Sequence, residues 1–384
     1  MRENKTVKRI DINKLKAEIE KTVWSDIESG KVGGASLCVM QDGETVYSNC
    51  FSSDIIKVNE KTLFRLASMT KPITAVAVMK LCERGLLSLD EPVSKIIPEF
   101  EEMYIGKAEN GRIECVSKAQ TPITLRHVLT HTSGIGSGPV GDILMKELPS
   151  DKRKDLEFMM SYFTQNPIDF EPASAQLYSG TFAFDVAARA IELVSGKSYD
   201  EFLKAEIFEP LGMKDTAFVP SEEQWSRMIP MHNMLDAKSV IAHEFDRRIF
   251  ADFPESYFCA GAGLFSSLSD YVRFASMLQN GGELDGVRIL SKQSVDEIAT
   301  PHVSADIMAG NERWGLGVRV ITEKSYATLP VGTYGWSGAY GSHFWIDPVN
   351  RITAIYMKNS LYDGGAGSVT SRQFEKNVFD SLGE

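Results

Sequence analysis

The stretch "TYGWSGAYGSHFWIDPVNRITAIYMKN", Thr333 to Asn359, decides the fold. Three runs within it, "TYGWSG", "SHFWIDP" and "RITAIYMKN", are rich in the aromatic and β-branched residues that suit strands, and Asp347 to Asn350 separates the last two as a turn. "WGLGVRVIT", from Trp314, carries the same signal just upstream. The other end of the chain matches it. "GASLCVMQ", then Asp42-Gly43, then "ETVYSNCF" reads as a hairpin, because Asp-Gly suits a two-residue type I′ turn. Between these ends, from about residue 86 to 255, the chain reads mainly as helices and long loops: Leu125 to Thr130, Thr181 to Val194 with Gly196 as its stop, and Tyr199 to Phe208. Helical patterns also flank the strands. Ile12, Leu15, Ile19, Val23 and Ile27 recur at helical spacing before Gly30, Asp270 to Gln279 precedes Gly281-Gly282, and Gln373 to Leu382 comes last. Strands at both ends with helices between them predict an α/β (α+β) fold. One antiparallel sheet is built from the N- and C-terminal segments and flanked by helices, with a mainly helical lobe inserted. Residues 1–85 with 256–384 form the sheet domain and 86–255 the helical one, with a ligand groove expected between them.

Composition narrows the function. The chain has 384 residues, 43% hydrophobic and 24% charged, enough for a large core. Its formal net charge of -11 repels phosphate backbones, which argues against nucleic acid as a partner. The densest basic stretch, "DKRKD" from Asp151 to Asp155, contains its own acids and reads as a solvated face. "MRENKTVKRIDINKLKAEIE" has no apolar core of signal-peptide length, and no later segment approaches a membrane span, so a soluble, cytoplasmic protein is expected. Cys38, Cys50, Cys82, Cys115 and Cys259 are odd in number and without CxxC spacing, which suits reduced, mostly packed thiols better than disulfides or zinc. No cofactor is implied, and the oligomeric state is open.

The chemistry begins at "FRLASMTKPITAVAVMKLCERG", Phe64 to Gly85, where Ser68 and Lys71 stand three apart and share a helix face. Pro72 belongs in a first turn, so the helix starts close to Ser68, and its N-terminus offers free N–H groups to an oxyanion. An amine beside a hydroxyl is a general base beside a nucleophile. Chance alone supplies roughly one or two such tetrads in a chain of this length, so the pair needs company. "QLYSGTFAF" places Tyr178-Ser179-Gly180 before a helix, 110 residues on (178 − 68), and Trp336-Ser337-Gly338 follows 158 residues later (336 − 178).

With these motifs the chain resembles the serine β-lactamase and penicillin-binding-protein superfamily, in the branch of class C β-lactamases, DD-peptidases and related esterases. The resemblance runs from about Val32 to Asn359 and includes "LFRLASMTKPITAVAVMKLCERGLLSLDEPV", "PITLRHVLTHTSGI" and "GAGLFSSLSDYVRFASML". It implies that Ser68 is acylated, that Lys71 takes its proton, and that Tyr178 works with Lys71 as general acid/base. It also implies that the backbone N–H groups of Ser68 and Ala339 form the oxyanion hole. Trp336, Ser337, Gly338 and Gly180 would contact substrate, with His343 as a further candidate on the same strand. Two positions depart from the family pattern. Gly180 stands where an Asn amide is usual, and Trp336 where a carboxylate-anchoring Lys is common. Tryptophan there resembles the esterase-like members. The expectation is a serine hydrolase acting on small ester or acyl substrates, with a β-lactamase or D-amino-acid-directed peptidase or acyltransferase as the alternative, and a catalytically silent binder as the third reading.

Other candidates carry less. "HVLTH", His127 to His131, has the spacing of a metal-binding helix but Val128 replaces the glutamate, and the segment reads as a packed helix end. "GIGSGPVG", Gly134 to Gly141, reads as a mobile loop bordering the groove, and Glu99, Glu101 and Glu102 of "PEFEEMY" as a solvated run.

Overall fold

The computed structural model describes residues 7–149, 152–236, 238–241, 254–323 and 329–383. Helix α1 (Ile12–Glu28) starts where the Asp11 carboxylate accepts the Lys14 N–H, and it buries Leu15, Ile19 and Val23. Gly30, at φ +78°, turns the chain out of the helix in the left-handed region. Strands β1 (Gly34–Gln41) and β2 (Glu44–Ser52) follow, joined by Asp42 at φ +54° and Gly43 at φ +83°, both left-handed as a type I′ turn requires. Helices α2 (Thr70–Glu83), α3 (Phe182–Ser195) and α4 (Leu268–Gln279) come next, then β3 (Glu312–Trp314), β4 (Arg319–Ile321), β5 (Tyr334–Ser337), β6 (His343–Asp347), β7 (Ile352–Met357) and helix α5 (Val369–Asp380).

The sheet order is β3-β4-β5-β6-β7-β1-β2, antiparallel throughout. The first and last strands are neighbours, with Ser36 opposite Met357. That is the predicted sheet of chain ends. "WGLGVRVIT" forms two strands, β3 and β4, because Gly317 (φ +68°) turns between them.

Alternate residues of each strand face opposite layers. Leu37, Val39, Trp345 and Tyr356 pack on Leu15, Ile19 and Val23 of α1 and on Phe374 and Val378 of α5. Trp336, Phe344, Ile346 and Met357 face the other way, into one continuous cluster with α2, α3 and α4. Helix α2 is buried nearly all round, which suits a helix that runs through a core.

The middle of the chain departs from the expectation of helices and loops. It also contains two hairpins, Tyr104–Glu109 with Arg112–Lys118 and His232–Leu235 with Lys238–Ile241. The first has little apolar alternation to reveal it, since Arg112–Lys118 is exposed at nearly every residue. The basic stretch is the expected solvated segment at Lys152, Lys154 and Asp155, with one exception. Arg153 is buried, its guanidinium 4.8 Å from the Phe182 ring centroid, while Asp151 lies outside the described residues. All five thiols are free; Cys38 and Cys259 are buried, Cys50 and Cys82 half-buried, and Cys115 exposed. Among the described residues no helix is long and apolar enough to cross a membrane.

Candidate active site

The short strand Leu63–Arg65 pairs with Phe265–Ser267, and Asn359 brackets the Arg65 backbone, accepting its N–H at 2.9 Å and donating to its carbonyl at 3.0 Å. The chain then turns through Ala67, a non-glycine residue at φ +45°, into a 3-10 turn (Ala67–Met69) that leads straight into α2. A left-handed alanine is a strained conformation of the kind that clusters at functional sites. Ser68 follows it at once, on the approach to the helix N-terminus as predicted.

Lys71 is fully buried, yet among the described residues no carboxylate pairs with its Nζ. Nζ donates to the Gly180 carbonyl at 2.6 Å and the Gly261 carbonyl at 2.9 Å, and its third direction reaches Ser68 Oγ at 3.3 Å. The two carbonyls come from segments pressed together: a Cβ on Gly261 would stand 3.0 Å from Gly180 O. Asp185, one of the residues sequence reasoning missed, secures the second carbonyl. Its carboxylate accepts the Tyr257 hydroxyl and the Ala260 N–H, holding the turn that ends in Gly261. Burial pushes the Asp185 carboxyl up to about 7, against those hydrogen bonds. An acid inside the apolar run "FAFDVAARA" was the available signal.

Tyr178 is 37% exposed, and Lys71 Nζ lies 4.8 Å from its ring centroid, over the face. Among the described residues its hydroxyl bonds neither Ser68 nor Lys71. It accepts the Trp336 indole N–H at 3.2 Å, which leaves its own proton to be donated. Trp314, also missed, stacks on Tyr178 at 5.7 Å, and His131 packs on it at 4.5 Å. His131 Nδ1 accepts the Ser179 N–H at 3.1 Å, so it positions the Tyr178 segment. Burial first, and then the Lys71 charge, push the imidazole well below its usual range, so His131 is neutral.

His131 and His127 do not share a helix face. The helix stops at Leu129, His131 lies beyond it at φ +59°, and His127 Nδ1 caps the helix start by accepting the Thr124 N–H. The described residues contain no cluster of metal-ligating side chains. Nor is "GIGSGPVG" loose. The Asp169 carboxylate accepts the N–H groups of Ser137, Val140 and Gly141, at 3.3, 2.7 and 3.1 Å, and pins it.

Gly338 and Ala339 leave the end of β5 and close on the Ser68 turn. A Cβ on Gly338 would stand 2.3 Å from Leu66 O, so this approach needs glycine. Among the described residues neither the Ser68 nor the Ala339 amide has a hydrogen-bond acceptor. Gly180, in contrast, faces open space, with nothing within 4 Å of a Cβ built there.

Ser337 and His343 correct an expectation. Strand parity turns Trp336 toward the helices and Ser337, with its ladder partner His343, toward α5. Ser337 Oγ bonds His343 Nδ1 at 2.8 Å, and both side chains are buried there rather than lining the groove. The site therefore combines a hydroxyl with an amine at its oxygen, a phenol with a free proton, and two unpaired amides. Such a set can transfer acyl groups.

A family model described as Beta-lactamase matches residues 17–374. Esterase EstB of Burkholderia gladioli is 28% identical over 392 residues, covering 94% of each chain. Lovastatin esterase of Penicillium rubens is 29% identical over 381 residues, covering 88% of this chain and 91% of its own. Among solved structures, that of EstCE1, a hydrolase with promiscuous acyltransferase activity, aligns with a TM-score of 0.80 at 22% identity, over 96% of this chain and 99% of its own.

Proposed function

We propose, because the chain belongs to the beta-lactamase family and is a serine hydrolase, that its substrates are neutral esters, cleaved through an acyl-enzyme on Ser68. The observation that carries this is the setting of Lys71 Nζ, held by two carbonyls and directed at Ser68 Oγ at 3.3 Å. Lys71 takes the hydroxyl proton as Oγ attacks the ester carbonyl. The tetrahedral oxyanion forms against the Ser68 and Ala339 amides. Tyr178 gives its proton to the departing alcohol and recovers one from the water that releases the acyl group, while Lys71 returns its proton to the departing Ser68 Oγ.

The choice of ester over β-lactam rests on charge. Trp336 occupies the slot where an ammonium would hold a carboxylate, and it forms an uncharged wall with Trp314, Tyr178 and neutral His131. The names of the two esterase relatives agree with this choice.

Intact-mass spectrometry on wild type and Ser68→Ala tests the reading, with a short-chain nitrophenyl ester and separately a penicillin. An ester adduct on wild type alone, with nitrophenol released, is expected. Turnover in the pure Ser68→Ala variant would sink the mechanism, and a rapidly cleared penicillin adduct would favour the β-lactamase reading.

A further inference from the structure

Ser337 is the last residue of β5 held in the ladder before the chain departs to present the Ala339 amide. More than the ladder holds it. His343 Nδ1 meets Ser337 Oγ at 2.8 Å, and His343 Nε2 meets Glu375 Oε1, on α5, at 3.0 Å. The same Glu375 oxygen accepts Arg319 Nη2, from β4, at 2.9 Å. Ser337, His343, Glu375 and Arg319 are 3%, 1%, 2% and 5% exposed, so the chain of bonds is dry and none of it faces the groove.

Its polarity is determined. Burial raises the Glu375 carboxyl, but the hydrogen bond of His343 and the charge and hydrogen bond of Arg319 outweigh it and hold the group at about 2, so it is ionised. A carboxylate can only accept, so His343 Nε2 is the donor, and burial pushes the imidazole below its ordinary range, so it is neutral and Nδ1 is the acceptor. The Ser337 hydroxyl must then donate to Nδ1.

We propose that this chain is a positioning device for the oxyanion hole: Glu375, acting through His343 and Ser337, sets where the Ala339 amide stands relative to Ser68 Oγ. The inference rests on the acyl-serine reading of Ser68 and Ala339. Apolar residues of similar volume would join the sheet to α5 without the desolvation cost of a buried ion pair. Directional bonds do something packing cannot, fixing the angle and register of the strand end as well as its distance. The gain falls where small displacements matter, since misplacing a group by about 1 Å can cost on the order of a hundredfold in rate.

His343→Leu keeps most of the volume, breaks both imidazole bonds and leaves Glu375 paired with Arg319. With nitrophenyl acetate and the full chain, kcat should fall about tenfold or more, short of the loss of an oxyanion donor outright, with KM nearly unchanged. His343→Gln, which can restore one of the two bonds, should recover part of kcat. Glu375→Gln, nearly isosteric, should lower kcat less than His343→Leu. A merely structural brace would lower Tm in these variants and leave kcat alone. That outcome, in folded His343→Leu or folded Glu375→Gln, overturns the proposal. Ser68→Ala assayed alongside separates the two levels. Its inactivity, together with unchanged kcat in His343→Leu, removes the positioning role only, whereas its activity removes the reading beneath as well.

Discussion

Two glycines of the site, Gly338 and Gly180, differ in what surrounds them. A methyl group at residue 338 would collide with the Leu66 carbonyl at 2.3 Å, whereas one at residue 180 would touch nothing within 4 Å. Gly338→Ala is therefore expected to lower both Tm and activity, because relief requires β5 to back away from Ser68. Gly180→Asn should remain within about 0.5 kcal/mol of wild-type stability, as a change into open space does. Thermal denaturation of the two variants side by side checks this, and equal losses would refute the contrast. Tyr178→Phe belongs to the same scale. It removes one proton donor and leaves the Trp336 N–H without its acceptor, so kcat should drop on the order of a hundredfold. An unchanged kcat would remove the phenol from the chemistry. That Ser68 and Lys71 sit at a helix start could be read from the sequence because Pro72 marks its first turn, whereas the roles given to them and to Tyr178 came with the family resemblance. The sides taken by Ser337 and His343 could not. They depend on the parity of β5 against the rest of the sheet, and a shift of one residue would exchange them with Trp336.

Helix α3 carries an apolar face into the core and, in the middle of it, Asp185. Burial holds this carboxyl at about 7 against an ordinary value of 3.8. The folded chain thus binds that proton more tightly than the unfolded chain does. The sign follows: the contribution of Asp185 to stability is greatest below about pH 4 and is lost as pH rises through about 7. Asp185→Asn cannot ionise, and its amide can still accept the Ala260 N–H and donate to the Tyr257 oxygen. Its Tm relative to wild type should therefore be higher at pH 8 than at pH 5, and the reverse order would contradict the direction of the shift. Helices α1, α3 and α4 could be read because their apolar residues repeat at 3.6 and capping or Gly residues mark their ends, and α2, apolar nearly all round, because Pro72 marks its first turn. The hairpin at Tyr104–Lys118 could not, because it packs so little of itself on anything that its side chains report no buried face.

For the molecule as a whole, the strand pattern at the two ends was the most informative signal, since only a shared sheet satisfies the edges of both. Helix α5 seals that sheet with Phe374 and Val378 and supplies Glu375. A chain ending at Ser368 is accordingly expected to lack a cooperative unfolding transition, not merely to be less active. Thermal scans of the truncated chain, followed by near-UV circular dichroism, check this, and a sharp transition with native aromatic signal would refute it. The pairing of Ser36 with Met357 has a consequence for biosynthesis. On the ribosome, β1 and β2 emerge early, but the edge of β1 that belongs to β7 must wait for a further 305 residues (357 − 52). At about 5–20 residues per second, that wait is roughly 15 to 60 seconds. For all of that time the nascent hairpin offers an open, apolar strand to whatever is nearby. The sheet thus closes only near the end of synthesis, and synonymous changes that slow translation of the middle third would lengthen the exposure of β1.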